Sequence, residues 1–346
     1  MVVFVKQGSL GDILMLTPSL RAFRRSFPSE RIVFIVGKSN YQVLQKNPYI
    51  DELIFIDDYK IFQGRLWQKA LESLKLLKTI KRYDPDEIYI FQRDWRWNFV
   101  AFLSGVKKRY GFRRDLKGLF LTHFADTTQE EHEIYKYFKV LEMKKGFEVD
   151  GVAMDVFYNK EDGQTLKNLL GKFLNSEIIS IAPGGALNVS SQMDTKRWPL
   201  EYYKILLEKI FRNTDYKVLL IGDKKDKQFT SKLVLDSNTI CDIAGKTTVS
   251  QTYLVLKKSK VLITHDCGPM HIGAAAGIPV ISLFGPTYPV EYCPITNSNS
   301  TYIWKGKTLE CSPCYKHGYF PECKHKKCMY MIEPDEVFDK ALSIIR

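Results

Sequence analysis

The run Thr264-His265-Asp266-Cys267-Gly268-Pro269-Met270-His271, continued by Gly273-Ala-Ala-Ala-Gly277-Ile278-Pro279 and closed by Leu283-Phe284-Gly285-Pro286-Thr287, decides the fold. The apolar stretch Val261–Thr264 leads into it, and Val280–Phe284 leads out before Gly285. Between them lie a glycine, a proline suited to a first helical turn, and a helix start at His271–Ala276. Strand, glycine turn, helix, strand is the repeating unit of a parallel α/β sheet, whose ligands bind beyond the carboxyl ends of the strands. Asp266, Cys267 and Gly268 stand at such an end. Gly268 lets backbone approach a ligand closely, N–H groups at a helix start face an anion, and His271 and Thr287 add side-chain donors. The structural alternative makes Asp266 a helix cap and His271 a packed core residue.

The same rhythm extends in both directions. Ile178–Ala182 reads as a strand ending in Pro183-Gly184-Gly185, followed by a helix at Pro199–Phe211 and a strand at Lys217–Ile221 that ends in Gly222. Helices are expected over Lys225–Leu235 and Val249–Lys257, and a terminal one over Glu333–Ile344. Towards the amino end, Val2–Val5 reads as a strand and Asp12–Phe27 as a helix closed by Pro28. Strands follow at Arg31–Val36, Glu52–Ile56 and Glu87–Phe91, with helices at Ser39–Gln45, Leu66–Arg82, Glu130–Lys145 and Glu161–Asn175. A chain of 346 residues exceeds one ordinary core. The expected fold is α/β, two Rossmann-like doubly wound domains at 1–165 and 166–332, with a terminal helix at 333–346.

Two further blocks carry chemistry. Asp194-Thr-Lys196-Arg197-Trp198-Pro199 sets two cations just before a proline-started helix, beside a site where the helix dipole already favours an anion. Lys196 is the candidate for a diphosphate; a solvated surface lysine is the alternative. Gly8-Ser9-Leu10-Gly11-Asp12 lacks the third glycine of a dinucleotide fingerprint. It puts one carboxylate, Asp12, at a helix N-terminus, which keeps it ionised and ready to accept a proton from an attacking hydroxyl.

Together these blocks resemble glycosyltransferase family 9, which contains the ADP-heptose:lipopolysaccharide heptosyltransferases. The resemblance rests on Gly8-Ser-Leu-Gly11-Asp12 with Thr17-Pro18, on Pro183-Gly184 with Lys196-Arg197-Trp198-Pro199, on Asp242-Ile-Ala-Gly245, and on Asp266 through Thr287. It implies a GT-B architecture with a central cleft, the acceptor held by the first domain and the ADP-sugar by the second. It also implies inverting transfer that needs no metal, with Asp12 as general base. Lys196, Gly184, Asp266, Cys267, Gly268, His271 and Thr287 then hold the donor, with Cys267 where a serine or threonine is usual. By a looser match, Asp226 holds the ribose. The implied acceptor is the phosphorylated lipopolysaccharide inner core. A protein acceptor (autotransporter or flagellin) and a non-catalytic nucleotide-sugar-binding protein stay open as alternatives.

Arginine forks fit phosphates and aromatic rings stack on sugars, so Arg93, Arg96, Lys107 and Arg109 join Gly11 as candidate acceptor-binding residues. The Leu66–Arg82 helix carries Leu71, Leu74, Leu76 and Leu77 with Lys69, Lys75, Lys78 and Lys81. Core packing with a solvated basic face is the main reading, and a membrane-surface face the rival. The net charge of +12 fits either. No recognised nucleic-acid module accompanies it, and nucleic acid is not an expected partner. No apolar run approaches the ~20 residues of a membrane span, and the start reads as a strand, not a signal peptide. The expected location is the cytoplasm, at the inner face of the inner membrane, with the seven cysteines as thiols. Cys311, Cys314, Cys323 and Cys328 fall at spacings that suit structural zinc, and the family resemblance implies iron as the other metal, with His317 and His325 as substitute ligands; disulfides or free thiols are the alternatives.

Overall fold

A computed structural model describes residues 1–113, 118–185, 193–296, 299–315 and 322–346. Two compact units emerge, one running from Met1 to Asp155 and one beginning at Val156. Each contains a six-stranded sheet.

In the first unit the strands are β1 (Val2–Lys6), β2 (Ile32–Gly37), β3 (Glu52–Ile56), β4 (Glu87–Ile90), β5 (Lys108–Phe112) and β6 (His123–Ala125), in the order β3-β2-β1-β4-β5-β6. All pairings are parallel, and Val2 registers with both Ile32 and Glu87. β1 and β2 are buried along their whole length, which is why they read as continuous apolar runs and not as alternating ones. Val3, Val5, Ile35, Ile88 and Ile90 pack with Leu76 and Ile80 in one core cluster.

The second unit repeats the plan with β7 (Ile178–Ala182), β8 (Lys217–Leu220), β9 (Ile240–Asp242), β10 (Ser259–His265), β11 (Val280–Phe284) and β12 (Thr301–Trp304), in the order β12-β11-β10-β7-β8-β9. Counted from its own first strand, this is the same 3-2-1-4-5-6 order as the first unit, the Rossmann arrangement. The terminal helix, Pro334–Ile345, closes the unit by packing Val337, Phe338 and Ala341 among Tyr203, Leu206 and Ile210 of the Leu200–Asn213 helix.

Local chemistry explains several boundaries. The Leu10–Ser26 helix contains Pro18, which leaves the Leu14 carbonyl without its backbone donor. The Thr17 hydroxyl donates to that carbonyl at 2.7 Å, so the helix continues. The helix expected to reach Asn175 stops at Leu170, because Gly171 takes φ +48. The helix expected over Lys225–Leu235 is reduced to Lys227–Thr230. Four strands, β5, β6, β9 and β12, and the Trp95–Leu103 helix were not anticipated. β6 and β9 are three residues each, and β5 begins with Lys108 and Arg109, whose charges hide a strand.

Candidate functional site

Strand order reverses direction between β1 and β4 in the first unit and between β7 and β10 in the second. The loops leaving those four strands therefore flank the two switch points, where ligands of open α/β sheets sit.

In the second unit, the loop after β7 is Pro183-Gly184-Gly185 and the turn after β10 is Asp266-Cys267-Gly268. The two touch: a Cβ on Gly185, which sits at φ +86, would lie 2.9 Å from the Cys267 Cβ. Asp226 pins the first loop. It is buried, accepts from the Gly185 and Asp223 amides at 2.5 and 2.8 Å, and leaves no room for a side chain on Gly184. Burial pushes its carboxyl up, against those hydrogen bonds. With both oxygens bonded to backbone, the ribose role expected of Asp226 is not carried further. Arg197 braces the same loop, donating to the Gly185 carbonyl at 3.0 and 2.8 Å and to Asp194 at 2.5 Å.

Asp266 gathers the other donor-site candidates. Lys196 Nζ donates to its Oδ2 at 2.6 Å and the Thr287 hydroxyl to the same oxygen at 2.7 Å. Burial works against the charge on Asp266, but Lys196, Thr287 and the nearby His271 together hold the carboxyl below its ordinary value. Thr287 is fully buried, so its hydroxyl positions Asp266 instead of facing a ligand. Cys267 caps the Gly268–Ala275 helix by backbone position alone, without a side-chain hydrogen bond to it. Its Sγ lies 3.2 Å from the Thr264 hydroxyl, and burial pushes the thiol up to about 12. It is a neutral thiol at pH 7, a weaker donor than the serine or threonine usual there. His271 is buried in the same helix. Beneath both loops lies His265, fully buried, with neither ring nitrogen bonded among the described residues. Burial pushes its pKa down to about 3, so the ring is neutral. Asp194, Arg197 and His265 organise this site without having been singled out as site residues; the doublet Lys196-Arg197 was the one signal pointing towards them.

In the first unit, Ser9 and Asp12 form a capping box at the start of the Leu10–Ser26 helix. The Ser9 amide and hydroxyl both donate to Asp12 Oδ2, at 2.8 and 2.9 Å. Asp12 Oδ1 has no hydrogen bond among the described residues, and the side chain is half-buried. Gly8, at φ +144, is required here because a Cβ would lie 2.6 Å from that carboxylate. Gly11 is buried in the first turn. A charged cluster supports Asp12 from below. Lys6 is buried, donates to the Phe91 carbonyl at 3.2 Å and lies over the Tyr137 ring. Desolvation lowers its pKa, and the charge of Asp12 opposes that. Glu133, fully buried, receives Arg93 at 2.6 and 2.7 Å and Lys136 at 3.0 Å, and these cations hold it down to about 2 against its burial.

The acceptor candidates divide by sheet edge. Arg93 and Arg96 follow β4 at the carboxyl edge, where Asp12 also stands. Arg93 is committed to Glu133, and Arg96 is exposed and paired with Asp94. Lys107 and Arg109 sit at the opposite edge, because Lys108 registers with Glu87, which registers with Val2 at the start of β1. Arg109 donates to the Phe120 carbonyl at 2.8 Å and covers Phe102. The parallel sheet thus separates Lys107 and Arg109 from Asp12, and the acceptor role expected of them is withdrawn.

The four clustered cysteines are free thiols. Cys328 is pushed up to about 11, by burial first and then by Cys314 and Cys323. Cys314 is raised by burial, Cys323 and Cys311, and Cys323 Sγ lies 3.8 Å from His325 Nδ1. Among the described residues no group of three or more His, Cys, Asp or Glu is placed to hold an ion, so the expected zinc or iron at Cys311, Cys314, Cys323 and Cys328 lacks support. His317 lies outside the described residues.

Two Rossmann-like units, each with its polar groups gathered at the switch point of the sheet, define a glycosyltransferase fold of the GT-B kind. The sequence profile of glycosyltransferase family 9 (heptosyltransferase) matches residues 73–325, and the chain belongs to that family. It is a glycosyltransferase. A lipooligosaccharide heptosyltransferase 2 of Campylobacter jejuni is 21% identical over 342 residues, covering 97% of this chain and 96% of the relative. The structure of the E. coli ADP-heptose lipopolysaccharide heptosyltransferase II superposes with a TM-score of 0.77 at 18% identity, over 99% of this chain and 98% of that one. A family 9 glycosyltransferase from Veillonella parvula superposes with a TM-score of 0.82 at 21% identity, over 99% and 96%.

Proposed function

We propose that the protein transfers heptose from ADP-heptose to a hydroxyl of the lipopolysaccharide inner core, with inversion at the anomeric carbon. The relatives' names supply the donor and acceptor class. The observation that carries the mechanism is Asp12 itself, whose Oδ2 is fixed by Ser9 while Oδ1 has no hydrogen bond among the described residues and can accept a proton; the second unit has its own cationic site at Lys196.

The acceptor oxygen attacks the anomeric carbon as the bond from that carbon to the diphosphate breaks, and the hydroxyl proton passes to Asp12. Positive stabilisation matters most on the departing ADP, where charge develops. Lys196, held by Asp266, and the N–H groups at the start of the Gly268–Ala275 helix supply it. Asp266 and Thr287 aim Lys196, and Asp226 with Arg197 holds the glycine loop in shape. A group already fixed by buried partners needs no reorganisation when charge appears. The transfer is read as independent of any metal, its charge stabilisation coming from lysine and amides. No helix among the described residues is long and apolar enough to cross a membrane. Action in the cytoplasm, in peripheral contact with the inner face of the inner membrane, completes the reading.

Asp12→Asn keeps a carbonyl oxygen for Ser9 and loses the base. General-base removal costs about 10²–10⁴ in rate, so kcat with ADP-heptose falls by that factor while ADP binding is unchanged. Turnover near wild type in Asp12→Asn rules Asp12 out as the base. A deletion strain with an intact core and an unglycosylated surface protein assigns the acceptor to protein instead.

A further inference from the structure

We propose that the outward face of the Leu66–Tyr83 helix docks this enzyme onto an anionic lipid surface. The inference rests on the reading of a lipid-borne acceptor and adds the element that engages the lipid.

The inward face of this helix is fully accounted for. Leu76 and Ile80 enter the core of the first unit, and Glu72, also buried, takes the Lys75 ammonium at 2.7 Å. A second apolar stripe has no such place. Trp67, Leu71 and Leu74 are 62%, 45% and 52% exposed, and Leu66 at the first turn is 85% exposed. Their spacing of four and then three residues sets them on one side of an α-helix, so this is a continuous stripe and not scattered surface leucines. Core packing, expected for Leu71 and Leu74 along with Leu76, fails for the first two.

Charge selects the occupant. Lys78 and Lys81 lie 11 and 14 residues beyond Trp67, at helical spacing on the same side, and neither has an acidic partner among the described residues. Arg65, Lys75 and Arg82 are exposed along the same helix, whose single carboxylate, Glu72, is turned inward. A tryptophan and leucines able to enter the headgroup boundary, flanked by cations with no exposed anion within the helix itself, match a helix lying in the plane of an anionic bilayer. Lysine stems add apolar length while their ammonium groups reach lipid phosphates. The Trp95–Leu103 helix, packed beside this one, exposes Phe102 and Leu103 just ahead of Lys107 and Lys108.

The test is co-sedimentation of the full chain with phosphatidylglycerol–phosphatidylcholine vesicles against phosphatidylcholine alone. Two triple variants accompany the wild type: Trp67→Ser/Leu71→Ser/Leu74→Ser and Lys75→Glu/Lys78→Glu/Lys81→Glu. Melting midpoints check that each stays folded, and ADP-heptose turnover on a soluble delipidated acceptor checks that each stays active. Expected results are anionic-vesicle binding at least ~10-fold tighter than neutral, weakened by raised salt. The lysine variant is expected to lose about 100-fold, from roughly five-fold per basic residue near the surface, and the apolar variant a comparable factor. Equal binding to both vesicle types, or apolar-variant binding equal to wild type, overturns the proposal. So does a concentration-dependent dimer that the apolar variant abolishes when no vesicle binding is seen. Vesicle binding by a protein that consumes no ADP-heptose upholds the docking face and sinks the heptosyl reading instead.

Discussion

Replacing Lys196 by methionine tests the second unit's site and its stability at once. Lys196 and Asp266 form a nearly buried pair at 2.6 Å, their side chains 12% and 7% exposed. Removing one partner of such a pair costs about 3–5 kcal/mol, because the other charge is left in a poor solvent. The Thr287 hydroxyl stays on Asp266 at 2.7 Å, which places the expected cost near the lower end, about 3 kcal/mol. At roughly 2–4 °C per kcal/mol for a domain of this size, the melting midpoint falls by about 6–12 °C. Since Asp266 titrates below its ordinary value in the folded state, this stabilisation is fully present above the ordinary carboxylate range and is lost as pH falls from there through the lowered value. Adding Asp266→Asn removes the stranded charge while keeping an acceptor for Thr287, so Lys196→Met/Asp266→Asn recovers to within about 1 kcal/mol of wild type. ADP affinity does not recover. A lost charge-assisted bond costs about 1.5–3 kcal/mol, or roughly 10–150-fold in Kd, in both variants. Scanning calorimetry reads the first effect and titration calorimetry with ADP the second. A double variant as unstable as the single one, or ADP binding within about three-fold of wild type, refutes the reasoning.

Two further outcomes follow from the same geometry. His265, neutral in the core with its pKa pushed down to about 3, leaves the unfolded chain binding more protons below pH ~6.5, so stability falls as pH drops from there. His265→Leu flattens that slope by up to about 1.4 kcal/mol per pH unit between pH 6.5 and 5 in urea titrations; an unchanged slope shows that the ring is not buried neutral. Arg109→Gln breaks the bond to the Phe120 carbonyl and lowers stability by about 1 kcal/mol without changing acceptor KM, and a raised KM returns Arg109 to the acceptor site.

The central strands β1, β2, β4, β7, β10 and β11 were legible because both faces of each sheet are covered, which makes them largely apolar, although β4 opens on Glu87 and β10 on Ser259 and Lys260. β5 and β9 were not. Each draws its stability from a neighbour already in place, and β9 contributes just three residues to the ladder. The loops around Asp12, Lys196 and Asp266 were legible for a similar reason: a capping pair, a glycine at positive φ and a cation beside a proline-started helix are local features. Arg93, Lys107 and Arg109 looked alike in the chain. The parallel register alone set the first at the same sheet edge as Asp12 and the other two at the far edge.

Residue order by itself determined the repeating strand–turn–helix units, the family and the loops that carry the chemistry, because each depends on contacts within a few residues. Tertiary packing decided the rest. It committed Asp226 to two backbone amides, tied Lys196 to Asp266, fixed one oxygen of Asp12 on Ser9, buried the His265 ring beneath the site, and turned Trp67, Leu71 and Leu74 outward. Those outcomes follow from which side of an element faces its neighbours and from how far burial shifts the balance between charge and desolvation. Neither is written in the spacing of residues along the chain.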